Sequence, residues 1–218
     1  MRGESVLHEV SIGLAPDGRP RHSTALLAEV ERAAAAAGGW EAVGRIAVGL
    51  GPGSFVGIRI GIATARGLSL GTGLPVAGVS TLDALGRGLA ESAGAGGDCL
   101  AVLDARRGEV FAALYSGAGE RLWDPLVAAP GVLAERLAEL PSPPLAAGPG
   151  AVRFRHELAS RGAEIPDDGD PAHRVAARHV CAIAASAKDA DGSALEPIYL
   201  RPPDAQRWRE RDDSKTAE

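Results

Sequence analysis

The sequence predicts an α/β fold. Short apolar runs at 46–50 and 74–79 each lead into a helical pattern, and the residues between run and helix are turn and cap formers. A third observation agrees: two further apolar runs flank Asp104-Ala-Arg-Arg-Gly108 and predict a hairpin at the head of a second set of elements.

In chain order, Val6, Val10 and Ile12 partly alternate and predict a strand from Ser5 to Leu14, closed by the Pro16-Asp17-Gly18 turn. His22-Ser23-Thr24 opens a helix to about Ala37. Ser23 or Thr24 caps it, Leu26, Leu27, Val30, Ala33 and Ala34 give it an apolar stripe, and Gly38-Gly39 ends it. Ile46 to Leu50 reads as a covered strand. Gly51-Pro52-Gly53-Ser54 is a tight turn whose serine caps a helix from Phe55 to Leu70. Leu74 to Val79 is a second buried strand, and Ser80 or Thr81 caps a helix to about Glu91.

Ala93-Gly-Ala-Gly-Gly97 is a flexible linker, so residues 1–93 and 98–201 are expected to form two units. In the second, strands at Leu100–Leu103 and Val110–Tyr115 form the hairpin. Pro130 to Leu140 reads as a helix, and Leu145–Gly148 as a weak strand before a Gly-Pro-Gly turn at 148–150. Helices are expected from Val152 to Arg161 and from Ala172 to Ala187, the last anchored by Val175, Val180 and Ile183. Pro197-Ile-Tyr-Leu-Arg201 is a short closing segment, and 202–218 a mobile tail.

The bulk composition narrows the function classes. Aromatic residues are 4% of the 218, so Ala, Val, Leu and Ile must fill the core. A net charge of −5 argues against independent nucleic-acid binding, which needs a clustered basic surface. Cys99 and Cys181 are far apart in apolar or small-residue contexts and read as buried free thiols in a reducing compartment. There is no CxxC pair, no bilayer-length apolar run, and no apolar signal core in Met1-Arg-Gly-Glu-Ser-Val; cytoplasm and no membrane association are the expectation.

Several residues invite a chemical reading. The loop Gly51, Pro52, Gly53, Ser54 is either an anion site at a helix N-terminus or a structural turn; it lacks the Walker spacing and that of GxGxxG. Gly57, Gly61 and Ala65 line up small side chains on one helix face, to pack on the chain's own sheet or to receive a helix of another chain. His22 has no second ligand one turn on, since position 26 is Leu. His156, His173 and His179 are scattered, and solvent exposure is their default. Asp104, Arg106 and Glu109 read as turn chemistry with a surface ion pair, or as a nucleotide or subunit contact. Ser54 has no local histidine base for acyl transfer.

Together, Gly51-Pro-Gly-Ser-Phe-Val-Gly-Ile-Arg-Ile-Gly61, Gly67-Leu-Ser-Leu-Gly71, Pro75, Gly78-Val-Ser-Thr-Leu82, Leu103-Asp-Ala-Arg-Arg-Gly-Glu-Val-Phe111 and Glu196-Pro-Ile-Tyr-Leu-Arg201 resemble the bacterial TsaB (YeaZ) family, as does Arg21-His-Ser with Leu26-Leu27. The resemblance implies an actin/hexokinase-like (ASKHA) fold of two lobes. It implies a chain with no catalytic, metal or cofactor residues of its own, which supports a TsaD-like subunit in N6-threonylcarbamoylation of adenosine 37 in tRNA. A TsaE-like ATPase joins that assembly, a nucleotide is admitted at the subunit junction, and tRNA is met only through the complex. The family's interface implies that the first two helices dock the partner, or a second copy in a homodimer, through His22, Leu26, Val30, Phe55, Gly57, Ile58, Gly61, Ile62 and Ala65. Family members open with a strand ending in Asp-Thr or Asp-Ser and a second strand of a hairpin. This sequence begins at the equivalent of the third strand, so a start further upstream, or a truncated chain without the first β-hairpin, is expected. The alternatives on the same fold are a glycoprotease-type metallopeptidase, which needs paired histidines, and an ATP-dependent phosphotransferase of the sugar- or acetate-kinase kind, which needs an Asp-bearing phosphate loop.

Overall fold

In a computed structural model the described residues are 1–3, 5–13, 22–94, 96–188, 190 and 192–201, with the side chains of 22–24 outside the description. The tail 202–218, the turn at 16–18, Leu14, Arg21 and the side chains of the candidate caps Ser23 and Thr24 lie outside it. The elements are α1 (His22–Ala37), β1 (Ile46–Gly51), α2 (Phe55–Thr72), β2 (Val76–Ser80), α3 (Thr81–Ala93), β3 (Cys99–Arg106), β4 (Glu109–Tyr115), β5 (Leu126–Ala128), α4 (Pro130–Leu137), β6 (Leu145–Ala147), α5 (Pro149–Arg153), α6 (Arg155–Ala159) and α7 (Ala177–Ala185).

They build two sheets. β1 and β2 pair in parallel with Ile46 opposite Val76, and the second sheet has the order β5-β4-β3-β6. β3 and β4 form the expected antiparallel hairpin, with Leu100 opposite Leu114. β6 joins β3 in parallel, with Leu100 opposite Ala146, as a crossover through intervening helix requires.

The helices fill the spaces beside the sheets. One face of α2 puts Ile58, Ile62 and Ala65 against Ile46, Val48 and Leu50 of β1. On α3, Leu82, Leu85 and Leu89 pack on the second sheet with Cys99, Ala101 and Tyr115, while Ala84 turns to the first with Ala77, Val79 and Ala184 of α7. One helix thus ties both sheets together. Its side chains strengthen the tie: Asp83 accepts the Tyr115 hydroxyl at 2.7 Å and the Arg121 guanidinium at 2.6 and 2.7 Å. Burial, and then Asp83, pushes the Tyr115 hydroxyl well above its ordinary range, so it stays a donor.

Several sequence expectations need correction. Residues 5–13 form no strand; Ser5 only bridges back to Arg2, because the described fold gives them no strand to pair with. The Gly-Pro-Gly segment is not a free turn: Pro149 and Gly150 open α5, where the missing N–H of proline costs nothing. The helix expected from Val152 to Arg161 is two short ones broken at Phe154 (φ −113°, ψ 33°). The helix expected from Ala172 is replaced by a tight turn at Pro171–His173, capped by Asp170, and by α7 from Ala177. That leaves Val175 exposed rather than anchoring. Cys99 is buried, Cys181 only half-buried.

His173 and His179, expected in solvent, are both buried. The Nδ1 of His173 accepts the Gly148 N–H at 3.1 Å, which places the ring proton on Nε2, 3.1 Å from the Pro166 carbonyl. The imidazole thus fastens two loops beside β6. Replacing it in His173→Leu leaves a buried donor and an acceptor unpaired. Urea unfolding is expected to show a loss of about 2–4 kcal/mol with little change in slope.

Candidate partner interface

The geometry of the turn at Gly51–Ser54 and of α2 decides which side chains face outward. Ser54 Oγ accepts the Gly57 N–H at 3.3 Å, the cap its position predicts. Gly51 sits at φ 104°, and a Cβ there would lie 2.9 Å from the Ile198 carbonyl and 2.8 Å from Ile58 Cδ1. The glycine is therefore required by the chain segment that crosses it, since Ile198 N–H donates to the Leu50 carbonyl at 2.8 Å. Gly51 and Pro52 are buried, with Gly53 and Ser54 exposed at the helix entrance.

The closing segment 197–201 makes contacts that no local sequence pattern reveals. Tyr199 stacks on Phe55 with centroids 5.5 Å apart, and Arg59 lies 3.8 Å over the Phe55 ring while its Nε donates to the Tyr199 hydroxyl at 3.1 Å. Arg201 reaches the other sheet, donating to the Ala105 carbonyl at 2.9 Å and pairing with Glu109. Asp104 accepts the Arg106 N–H at 2.8 Å and the Arg153 guanidinium at 2.8 Å. The Asp104, Arg106 and Glu109 cluster thus makes turn and ion-pair contacts within the chain.

Of the expected interface residues, Ile58, Ile62 and Ala65 are not available. They are buried against β1 by their own fold, because apolar side chains at i, i+4 and i+7 share the face that seeks the core. Gly61 also leans inward: a Cβ there would sit 3.5 Å from Val48 Cγ2. A Cβ at Gly57 would meet only its own cap, Ser54, at 3.5 Å. Leu26 and Val30 on α1 are half-buried, and Phe55 is exposed. His22 begins α1, its side chain lying outside the description.

The line of small residues that does face outward on α2 is Ala63, Gly67 and Gly71, all exposed, with no atom within 4 Å of a Cβ at either glycine. Large apolar side chains of α2 stand in solvent with it, Leu70 90% exposed and Val56 57%, and on α1 Leu27 is 61% exposed. Apolar groups this exposed mark a contact surface when they cluster.

A family model described as "TsaD: tRNA N6-adenosine threonylcarbamoyltransferase" matches residues 5–159. A protein of Escherichia coli named "tRNA threonylcarbamoyladenosine biosynthesis protein TsaB" is 35% identical over 166 residues, covering 73% of this chain and 71% of its own. The chain belongs to the TsaB (YeaZ) family. An uncharacterized protein of Mycobacterium tuberculosis is 38% identical over 162 residues, 74% of this chain and 65% of that one. Among solved structures, YeaZ from Pseudomonas aeruginosa superposes with a TM-score of 0.66 at 28% identity, covering 84% of this chain and 86% of its own. The two-sheet arrangement is thus the ASKHA-type fold of the TsaB family. No helix among the described residues is long and apolar enough to cross a membrane.

On the far side of α3 from the second sheet, α7 packs through a second buried histidine. His179 is 4% exposed, its Nδ1 is 3.4 Å from Glu91, and a Cβ on Gly88 would lie 2.9 Å from its Nε2. Burial pulls the His179 pKa below 6.5, with Arg178 and Arg87 acting in the same direction and Glu91 and Glu9 against it. A histidine lowered on folding contributes stability that is complete above the unfolded value and lost as pH falls through the folded one. Unfolding free energy is therefore expected to decline from about pH 6.5 downward. His179→Gln removes that slope. Glu9, which burial raises but the Arg178 N–H and guanidinium lower further, loses its share only below 4.5. Denaturant titrations from pH 7.5 to 5 separate the two.

Proposed function

We propose that this chain is a TsaB-like activating subunit, without catalysis of its own, that docks a TsaD-like enzyme for N6-threonylcarbamoylation of adenosine 37 in tRNA. Its family membership and the outward apolar faces of α1 and α2 support the reading; the observation that carries it is Val56 and Leu70 standing in solvent beside Ala63, Gly67 and Gly71. Small residues let a partner helix approach closely, and the flanking apolar side chains give it something to bury. Leu26, Val30, Phe55 and Gly57 lie on or beside this surface and complete it, with His22 at the start of α1. Residues 1–93 and 98–201 act as the two lobes, the first presenting the surface.

In this reading a homodimer uses the same faces when TsaD is absent, a TsaE-like ATPase joins the assembled pair, a nucleotide is accommodated at the junction, and tRNA is met through the complex. The chain acts in the cytoplasm, where tRNA is modified. The test is reconstitution. Threonylcarbamoyl transfer to tRNA is measured with a TsaD-like protein and a TsaE-like ATPase, with and without this chain. A large stimulation by the chain, with none of the product formed by the chain alone, is expected. Transfer by the lone chain, or no stimulation, overturns the reading.

A further inference from the structure

The β3–β4 hairpin carries two arginines where its backbone favours glycine or asparagine. Arg106 stands opposite Glu109, which leaves Arg107 and Gly108 as the two-residue turn. All three residues from Arg106 to Gly108 have positive φ, at 62°, 55° and 77°. Gly108 adopts this without strain. Two successive residues with side chains in the left-handed region cost stability. Asparagine would hold either position more cheaply, so formation of the hairpin does not account for the arginines.

Contacts within the chain do not account for them either. The Arg106 side chain is 81% exposed, with Nη1 3.4 Å from Asp104 Oδ2. That oxygen already accepts Arg153 Nη1 at 2.8 Å. The bond that shapes the turn, from the Arg106 N–H to Asp104 Oδ1, comes from the backbone and would survive substitution. An ion pair so exposed contributes little. Arg107 is exposed as well. At the foot of the hairpin Arg201 pairs with Glu109 and donates to the Ala105 carbonyl. Arg106, Arg107, Arg153 and Arg201 thus gather with only Asp104 and Glu109 between them, a local positive excess in a chain of net charge −5. The strap that carries Arg201 also stacks Tyr199 on Phe55, which joins the basic tip to the start of α2.

We propose, resting on the function given above, that this tip is a phosphodiester contact: Arg106 and Arg107 take backbone phosphates of the tRNA held by the assembly. Guanidinium forks match phosphate oxygens bidentately, and two adjacent forks suit a chain of phosphates. Asp104 and Glu109 hold Arg153 and Arg201 beside the tip, while the turn lifts Arg106 and Arg107 to its apex. Contacts of this type position the nucleic acid and read no base.

Two variants remove charge while easing the backbone. Arg106→Asn/Arg107→Asn introduces residues that tolerate positive φ, and Arg107→Gly has no side chain to strain. Binding of unmodified tRNA is followed by fluorescence anisotropy over a range of salt, for the chain alone from low salt upward and for the chain with a TsaD-like protein. The double variant is expected to bind about tenfold more weakly, and the slope of log affinity against log salt to fall by about 1.5–2; for Arg107→Gly it falls by about 1. The melting temperature of both is expected to hold or to rise by about 2–4 °C, opposite in direction to the binding. Unchanged affinity and slope, or no tRNA binding by the parent in either arm, overturns the proposal. So does a loss of co-elution with the TsaD-like protein while tRNA binding persists, which would make the tip a contact for an acidic protein face. If the parent chain fails to co-elute at all, the proposed function fails and the arm with the chain alone decides this inference.

Discussion

A carboxylate placed on the outer face of α2 is expected to abolish partner binding without unfolding the chain. In Val56→Asp/Leu70→Asp both substituted side chains start in solvent, so the folded monomer loses almost no packing. Its stability should stay within about 0.5 kcal/mol per site of the parent. In a closed helix–helix contact the same carboxylates would be buried against apolar groups with no counter-charge. Association with a TsaD-like protein is expected to weaken at least about 100-fold, or about 3 kcal/mol. Calorimetric titration and co-elution measure it directly.

Gly61→Leu is the informative contrast. It lies on the same helix, but its Cβ would point at Val48 of β1, with contact already at 3.5 Å. A branched side chain there presses into the chain's own core and is expected to lower stability by about 1–3 kcal/mol. If Gly61→Leu loses only binding while Val56→Asp/Leu70→Asp binds normally, the docking face is the opposite one from that proposed.

This contrast also shows what the sequence could and could not disclose. Two lines of small residues run along α2, one through Gly57, Gly61 and Ala65 and one through Ala63, Gly67 and Gly71. Spacing alone does not distinguish them. The bulky neighbours do: Ile58 and Ile62 must be covered, so the first line is drawn inward with them. Local signals served well where a structure is local. The bounds of α1, the turn at Gly51–Ser54, the Ser54 cap and the β3–β4 hairpin all follow from residues within a few positions of each other.

Tertiary partners are what local patterns cannot supply. His173 is buried because Gly148 and Pro166 meet it, and His179 because α3 packs against α7 through Glu91 and Gly88. The strap from Ile198 to Arg201 touches β1, α2 and the β3–β4 hairpin, all about 90 residues or more earlier. Conversely, 5–13 carries a strand pattern with no bonded partner in the described fold. A period of two shows that a segment can pair, and the available edge decides whether it does.

The largest stability loss is expected at Gly148. It precedes α5 at φ 119°, a conformation that side chains rarely adopt, and a Cβ there would fall 2.1 Å from the Val102 carbonyl oxygen and 2.8 Å from Leu85 Cδ2. Neither neighbour can yield cheaply. Val102 is held in β3 between β4 and β6, and Leu85 fills the core between α3 and the second sheet. Moving Gly148 itself would break its N–H bond to His173. The strain of the backbone angle adds about 1–3 kcal/mol, and the collision with fixed backbone a similar amount. Gly148→Ala is therefore expected to lose about 3–5 kcal/mol in urea unfolding. The effect should exceed that of His173→Leu, because the histidine change removes bonds at this junction whereas the alanine forces its backbone apart. An alanine variant as stable as the parent would mean that β3 and α5 do not approach this closely.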